Sequence, residues 1–259
     1  MTTEQFSVAR KTVIVTGSSQ GIGRTIARQF AADGANVVVT SRDESKVETI
    51  AAEIADETTD GEAIAVECDV TNRDEVDALV EATVEAFGTV DVLINNAGAS
   101  FMADFDEISE NGWRTIVDIN LHGTFHCTQA VGPVMRENGG GVVINVSSTA
   151  GQKGSPRMTH YSAAKAGVIT LTSTLAYEWA EDDIRVNCIA PGFVATPGVA
   201  SQMGVDVDDV DRDSVSRRMG TPEEIADLAQ FLASPASSYL VGETVTAKGV
   251  PRIEETHEV

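Results

Sequence analysis

The chain has 259 residues, 40 of them Asp or Glu and 18 Lys or Arg, so its formal charge is −22. Apolar residues make up 42% of it, enough to pack a core, which excludes a largely disordered chain. So acidic a surface repels nucleic-acid phosphates and anionic lipid heads, and neither is an expected partner.

No apolar run approaches the ~20 residues of a membrane span, and residues 1–10 lack the apolar centre of a signal peptide, so a cytoplasmic location is expected. Cys68, Cys127 and Cys188 are far apart and read as small buried residues in a reducing compartment. Only five of the 18 cations are lysines. Scarce lysine and acids spread along the whole chain suggest a salt-saturated cytoplasm, where a hydrated carboxylate surface stays soluble. An ordinary acidic cytosolic enzyme is the alternative.

Thr12-Val13-Ile14-Val15 is a short buried run, followed by Ile22, Ile26 and Phe30 at helical spacing. Val37-Val38-Val39 follows, then a charged helix over about 43–56, then Ala63-Ile64-Ala65-Val66. Val76, Leu79, Val80, Val84 and Phe87 form the next helical stripe. Val92-Leu93-Ile94 and Val142-Val143-Ile144 are two more apolar runs, with one long helix expected between them over about 111–136. A helix over about 159–180 precedes a strand over 184–189. Pro222 stands at a helix N1 position behind the cap Thr221, with Glu223 and Glu224 in the first turn. Thr244-Val245-Thr246 is the last strand.

Continuous apolar strands alternating with helices indicate a parallel sheet covered on both faces. The expectation is an α/β fold: a single doubly wound Rossmann-type domain over 1–259, with a parallel seven-stranded sheet. A substrate lid is expected at about 196–219, rich in Asp and Gly, and an acidic C-terminal extension at 251–259.

Between the first strand and first helix lies Thr16-Gly17-Ser18-Ser19-Gln20-Gly21-Ile22-Gly23. Glycines there let the backbone turn sharply and approach a pyrophosphate seated on a helix N-terminus. About twenty residues on, Ser41 takes the place of an acid that would bond a ribose 2′-hydroxyl, and Arg42 follows it. That pattern favours a 2′-phosphate, hence NADP(H), over NAD(H); the other reading of Arg42 is a loop arginine paired with Asp43 and Glu44. Tyr161 and Lys165 stand at i, i+4, on one helical face. A nearby ammonium lowers the pKa of a phenol, so the pair suits proton transfer. Ser148 lies at the end of the fifth strand, 13 positions before Tyr161.

These residues carry a resemblance to the short-chain dehydrogenase/reductase family, in its single-domain branch, over nearly the whole chain. The resemblance rests on the segment Thr16 to Gly23, Asp69 in Cys68-Asp69-Val70, Asn95-Asn96-Ala97-Gly98, Asn120, Ser148, Tyr161-Ser162-Ala163-Ala164-Lys165, and Pro191-Gly192-Phe193-Val194-Ala195-Thr196. It implies that Tyr161 exchanges a proton with the substrate oxygen. It implies that Lys165 lowers the Tyr161 pKa and holds the nicotinamide ribose, that Ser148 fixes the carbonyl, and that Asn120 links Lys165 to a water relay. Ser147 should face the other side of the strand.

The implied cofactor set is Gly17, Ser19, Gly21, Ile22, Gly23, Arg42, Asp69, Val70, Asn95, Ala97, Gly98, Tyr161, Lys165, Pro191, Gly192, Val194 and Thr196. In it Asp69 and Val70 meet the adenine, Asn95 to Gly98 line the adenine ribose, and Val194 and Thr196 hold the carboxamide. The branch that the chain resembles reduces 3-oxoacyl thioesters with NADPH. A sugar or polyol dehydrogenase is the second reading, and a dinucleotide-sensing regulator without turnover a third. A homo-oligomer, tetramer or dimer, is implied, although Lys248-Gly249-Val250 departs from the family's usual Asp-Gly-Gly at that edge.

His122 and His126 are spaced for one helical face, but no third ligand has suitable spacing and no metal is expected. Lys153 and Arg157, between Ser148 and Tyr161 at the expected mouth of the site, read either as contacts for an anionic substrate such as a coenzyme A thioester or as plain solvated loop residues. Trp113 and Trp179 lie on helical stripes and are expected in the core.

Overall fold

The computed structural model describes residues 3–58, 61–199 and 210–250. Its strands are β1 (Thr12–Thr16), β2 (Asn36–Ser41), β3 (Ala63–Glu67), β4 (Val92–Asn95), β5 (Gly141–Val146), β6 (Ile184–Pro191) and β7 (Thr244–Ala247). They form one sheet in the order β3-β2-β1-β4-β5-β6-β7, and every neighbouring pair is parallel. The expected parallel α/β sheet of seven strands is therefore present.

The helices are α1 (Gly21–Ala32), α2 (Glu44–Glu57), α3 (Arg73–Phe87), α4 (Glu110–Val117), α5 (Gly123–Glu137), α6 (Thr149–Lys153), α7 (Thr159–Glu178) and α8 (Pro222–Ala233). Strand alternation divides the apolar residues between two cores. Val13 and Val15 pack with Ile26, Phe30, Ile225 and Leu232 on one face. Ile14 packs with Leu79, Val131, Met135 and Val143 on the other. Because both faces are covered, the strands read as unbroken apolar runs.

Chain direction across the sheet reverses between β1 and β4, which opens a crevice beyond their C-terminal ends. Connections leaving β1, β4, β5 and β6 all converge there. Of the lid expected at 196–219, residues 200–209 lie outside the described residues, as does the extension 251–259.

Two expectations need correcting. The helix expected over 111–136 is continuous but not α-helical throughout: α4 runs into α5 through a π-helical turn, Asp118–His122, with helical backbone angles at both junctions. Buried Ile116, Asn120, Thr124 and Cys127 step through the turn three or four residues apart, so the sequence pattern does not reveal it. Trp113 is not core but 37% exposed, whereas Trp179 is buried beneath the Arg136 guanidinium at 5.0 Å. All three cysteines are buried and free, as expected.

Candidate active site

The turn after β1 is held open from the β4 side. Gly17 has φ +64°, and a Cβ there would lie 2.8 Å from the Ala97 Cα, so this position takes glycine on both counts. Thr16 Oγ1 accepts the N–H groups of Asn96 and Ala97, each at 3.0 Å. The Asn96 side chain donates in return to the carbonyls of Thr16 at 2.9 Å and Gly17 at 3.1 Å. Gln20, the N-cap of α1, supplies no side-chain cap, so the first N–H groups of that helix face the crevice unspent.

A cavity of about 310 Å³ spreads over this turn. Gly17, Ser19, Gly21, Ile22, Arg42, Asp69, Val70, Ala97, Gly98 and Thr196 line it, all of them expected from the sequence. Asp43 is taken by the Lys46 ammonium at 2.9 Å and by the α2 N-terminus. Arg42 has no partner among the described residues, so its guanidinium is free at the cavity rim.

A second cavity, of about 890 Å³, continues from the first and shares Gln20, Ile22, Asn96, Gly98 and Thr196 with it. Ser148, Tyr161, Lys165, Pro191, Gly192 and Val194 line this one. Ser148 caps α6, accepting the Ala150 N–H at 3.1 Å, and is hydrogen-bonded to Tyr161. Lys165 lies a helical turn from Tyr161 on α7, its Nζ 5.7 Å from the phenol ring centre and donating to the Val146 carbonyl at 2.8 Å. Burial lowers the Lys165 ammonium from 10.5 to about 8. Burial also pushes the Tyr161 phenol up, with the Ser148 hydrogen bond acting against it. Ser147 turns away and donates to the Lys165 carbonyl at 2.8 Å.

Asn120 sits in the π turn, fully buried. Its Nδ2 donates to the carbonyls of Ala99 and Ile116, both at 2.8 Å. Its Oδ1 has no protein partner. A Cβ on Gly98 would lie 2.9 Å from that oxygen and 3.5 Å from Lys165 Nζ. The missing side chain of Gly98 therefore leaves one small gap bordered by the amide oxygen and the ammonium, room for a polar link between them.

Two expected residues stand elsewhere. Asn95 does not line either cavity; its Nδ2 is spent on Thr128 at 2.8 Å and Asn145 at 2.9 Å. Its in-register pairing with Asn145 places it inside the sheet, and the neighbouring Asn96 faces the crevice instead. Gly23 is buried beneath the turn, against Asn96 and the Gly17 carbonyl. Lys153 lines the second cavity, but Arg157 does not and pairs with Asp104 at 3.2 Å. His122 pairs with Asp118 and His126 with the Val70 carbonyl. Sequence reasoning missed Gln20, Ile119, Arg217 and Lys248 as lining residues. Asn96 was expected only as part of the run Asn95 to Gly98, and strand alternation after Ile94 turns it out where Asn95 turns in.

The residues around the first cavity fit a dinucleotide: unspent helix-terminal N–H groups, a turn closed to any Cβ, and a free guanidinium. A dinucleotide cleft that opens directly onto a phenol and an ammonium belongs to an oxidoreductase acting on carbonyl or alcohol groups. Residues 17–249 match a family model described as enoyl-(acyl carrier protein) reductase. A 3-oxoacyl-[acyl-carrier-protein] reductase of Synechocystis is 39% identical over 245 residues, covering 94% of this chain and 97% of that one. A short-chain reductase of Streptomyces niveus is 42% identical, covering 95% and 96%. A 7α-hydroxysteroid dehydrogenase solved with NADH and 7-oxo glycochenodeoxycholic acid superimposes with a TM-score of 0.88 and 32% identity, covering 98% of this chain and all of that one. The chain belongs to the short-chain dehydrogenase/reductase family.

Proposed function

We propose that the protein reduces the 3-oxo group of an acyl thioester with NADPH. The continuous cleft carries this reading, because it joins the groove over the glycine turn to a larger second cavity lined by Ser148, Tyr161 and Lys165. The thioester comes from similarity: the Synechocystis relative acts on 3-oxoacyl-[acyl-carrier-protein]. The preference for NADPH comes from Arg42, free at the groove rim, and from Ser41, which stands where an acid would bond a ribose 2′-hydroxyl.

When bound, NADPH would supply the hydride, which the carbonyl carbon accepts. Ser148 donates to the carbonyl oxygen and sets its pose. Tyr161 gives its proton to the same oxygen as charge develops there; burial holds the phenol protonated beforehand, so it waits as an acid. Lys165, at about 8, is largely an ammonium at neutral pH and stabilises the phenolate that remains. Asn120 and Lys165 face one gap beside Gly98, through which the proton is restored. Asp69, Val70, Ala97 and Gly98 hold the adenosine end, and Pro191, Gly192, Val194 and Thr196 the nicotinamide end. One domain over 1–259, acting as a homo-oligomer in a salt-rich cytoplasm, completes the proposal.

The test follows consumption of NADPH with a 3-oxoacyl thioester, a simple ketone and a sugar. Tyr161→Phe keeps the ring and removes the hydroxyl, so thioester turnover should fall at least ~10²-fold while NADPH still binds. Turnover near the wild-type rate in that variant would overturn the proton assignment. A sugar or polyol preferred over the thioester would overturn the substrate.

A further inference from the structure

The second cavity has a charge opposite to the molecule around it. Lys153, Lys165, Arg217, Arg218 and Lys248 line it, and among the described residues no Asp or Glu does. This occurs in a chain with 40 acids and 18 cations.

Most of the described cations are already engaged. Lys11, Arg24, Arg28, Lys46, Arg73, Arg114, Arg136, Arg157, Arg212 and Arg218 each pair with a carboxylate. Arg185 donates to Ser234 and Ser237, and Lys165 to Val146. Among the described residues, Arg10, Arg42, Lys153, Arg217 and Lys248 have no such partner. Arg42 lines the dinucleotide groove. Lys153, Arg217 and Lys248 line the substrate cavity. Free cations are thus concentrated in the cleft.

The three are delivered there by built connections. Lys153 ends α6, and its neighbour Gln152 donates to Thr246 of β7 at 2.8 Å, which ties the Lys153 and Lys248 segments together. Arg217 is presented by Arg218, whose guanidinium binds Glu224 through both nitrogens at 2.8 and 2.6 Å. Arg218 also donates to the carbonyls of Ser214, Met219 and Arg212, each at 3.0 Å, so the loop carrying Arg217 is fastened from inside.

We infer that Lys153, Arg217 and Lys248 bind a phosphate-bearing handle of the substrate in the cavity that Tyr161 also lines. Three unpaired cations suit a phosphate ester, whose several oxygens accept charge-assisted hydrogen bonds from more than one donor, and suit the further phosphates of coenzyme A better still. At about 890 Å³ the cavity is large enough for an elongated substrate. The inference rests on the thioester reading, in which the shared chemistry is a phosphorylated pantetheine, either free as coenzyme A or attached to a carrier protein.

The experiment compares kcat/KM, at saturating NADPH, for one 3-oxoacyl group on coenzyme A, on a carrier protein, and on N-acetylcysteamine, which has the thioester without the phosphate. The wild type should prefer a phosphate-bearing form. The Lys153→Gln, Arg217→Gln, Lys248→Gln triple variant should lower that preference at least about tenfold, the combined effect of several solvent-exposed ion pairs. Damage to the fold would lower all three rates and leave the ratio standing. The source of the handle is whichever form, coenzyme A or carrier protein, loses more. An unchanged ratio, or a wild type without preference, overturns the inference. If no thioester is turned over, the thioester reading fails, and calorimetric binding of coenzyme A to the NADP⁺-loaded protein decides the anion site. Weaker binding by the triple variant than by wild type upholds the site. Equal binding, or none, overturns it.

Discussion

Lys165 is where burial and function conflict most sharply at the residue scale. Its ammonium is wholly buried and its pKa falls from 10.5 to about 8. The folded state then binds fewer protons than the unfolded chain between those two values. Below pH 8 both states are charged and the burial cost is present in full. As pH rises from 8 to 10.5 the folded lysine neutralises first, so this group adds stability, about 3 kcal/mol in all. Lys165→Met has no such titration. The stability of that variant relative to wild type should therefore be highest below pH 8 and decline by about that amount toward pH 10.5, even where the lost bond to Val146 offsets part of the gain. Denaturant titrations of both proteins across that range measure it; a difference independent of pH would show that the lysine is not held at a lowered pKa.

Arg42 presents the opposite case, an exposed cation without a partner beside the dinucleotide groove. If it meets a 2′-phosphate, Arg42→Ala should raise KM for NADPH by about 10- to 150-fold and leave KM for NADH nearly alone, since a charged hydrogen bond is worth roughly 1.5–3 kcal/mol. Equal effects on both cofactors would make Arg42 a loop residue only.

At the scale of elements, the entry to α8 is set by Glu224. Its carboxylate accepts the Thr221 N–H at 2.9 Å and pairs with Arg218, and the Arg218 hydrogen bond chiefly lowers its pKa from 4.5 to about 2. A depressed carboxylate adds stability above its ordinary value and loses it as pH falls from 4.5 toward 2. The pair is partly exposed, so solvent screening limits the effect to about 1 kcal/mol. Glu224→Gln should lower Tm by about 2–4 °C at neutral pH, with the gap to wild type closing below pH 4.5. Thermal melts of both proteins over falling pH check this, and a gap of constant size would point to lost packing instead of lost charge.

Elements were legible in the sequence where periodicity carries the physics. The buried strands gave unbroken apolar runs, and the glycine turn was placed by the strand before it and the helix after it. The π turn at Asp118–His122 was not legible, because the buried positions keep three- or four-residue steps through it, yet that turn carries Asn120. Asn95 and Asn96 are adjacent and chemically identical, and only the β4–β5 register separates a sheet pillar from a cleft residue. Arg217 and Lys248 reach the site from elements distant in the chain, a convergence that no local pattern records.

Over the whole molecule, charge is the property that the fold does not neutralise. The ion pairs are exposed or half-exposed and each is worth little, while 40 acids face 18 cations. In dilute buffer the Debye length reaches ~30 Å at 0.01 M, so carboxylates across the whole surface repel one another. Added salt should raise Tm steeply at first. Simple screening is nearly complete by ~1 M, where the Debye length is ~3 Å. A protein adapted to saturated salt should gain beyond that point, through ion hydration and stronger effective burial of apolar surface. Thermal melts from dilute buffer to multimolar KCl, with turnover followed in parallel, separate the two regimes. Continued rise of Tm and of activity above molar salt is the expected result. A plateau below it, with full activity in dilute buffer, would make this an acidic enzyme of an ordinary cytoplasm and leave the chemistry of Tyr161 and Lys165 as it stands.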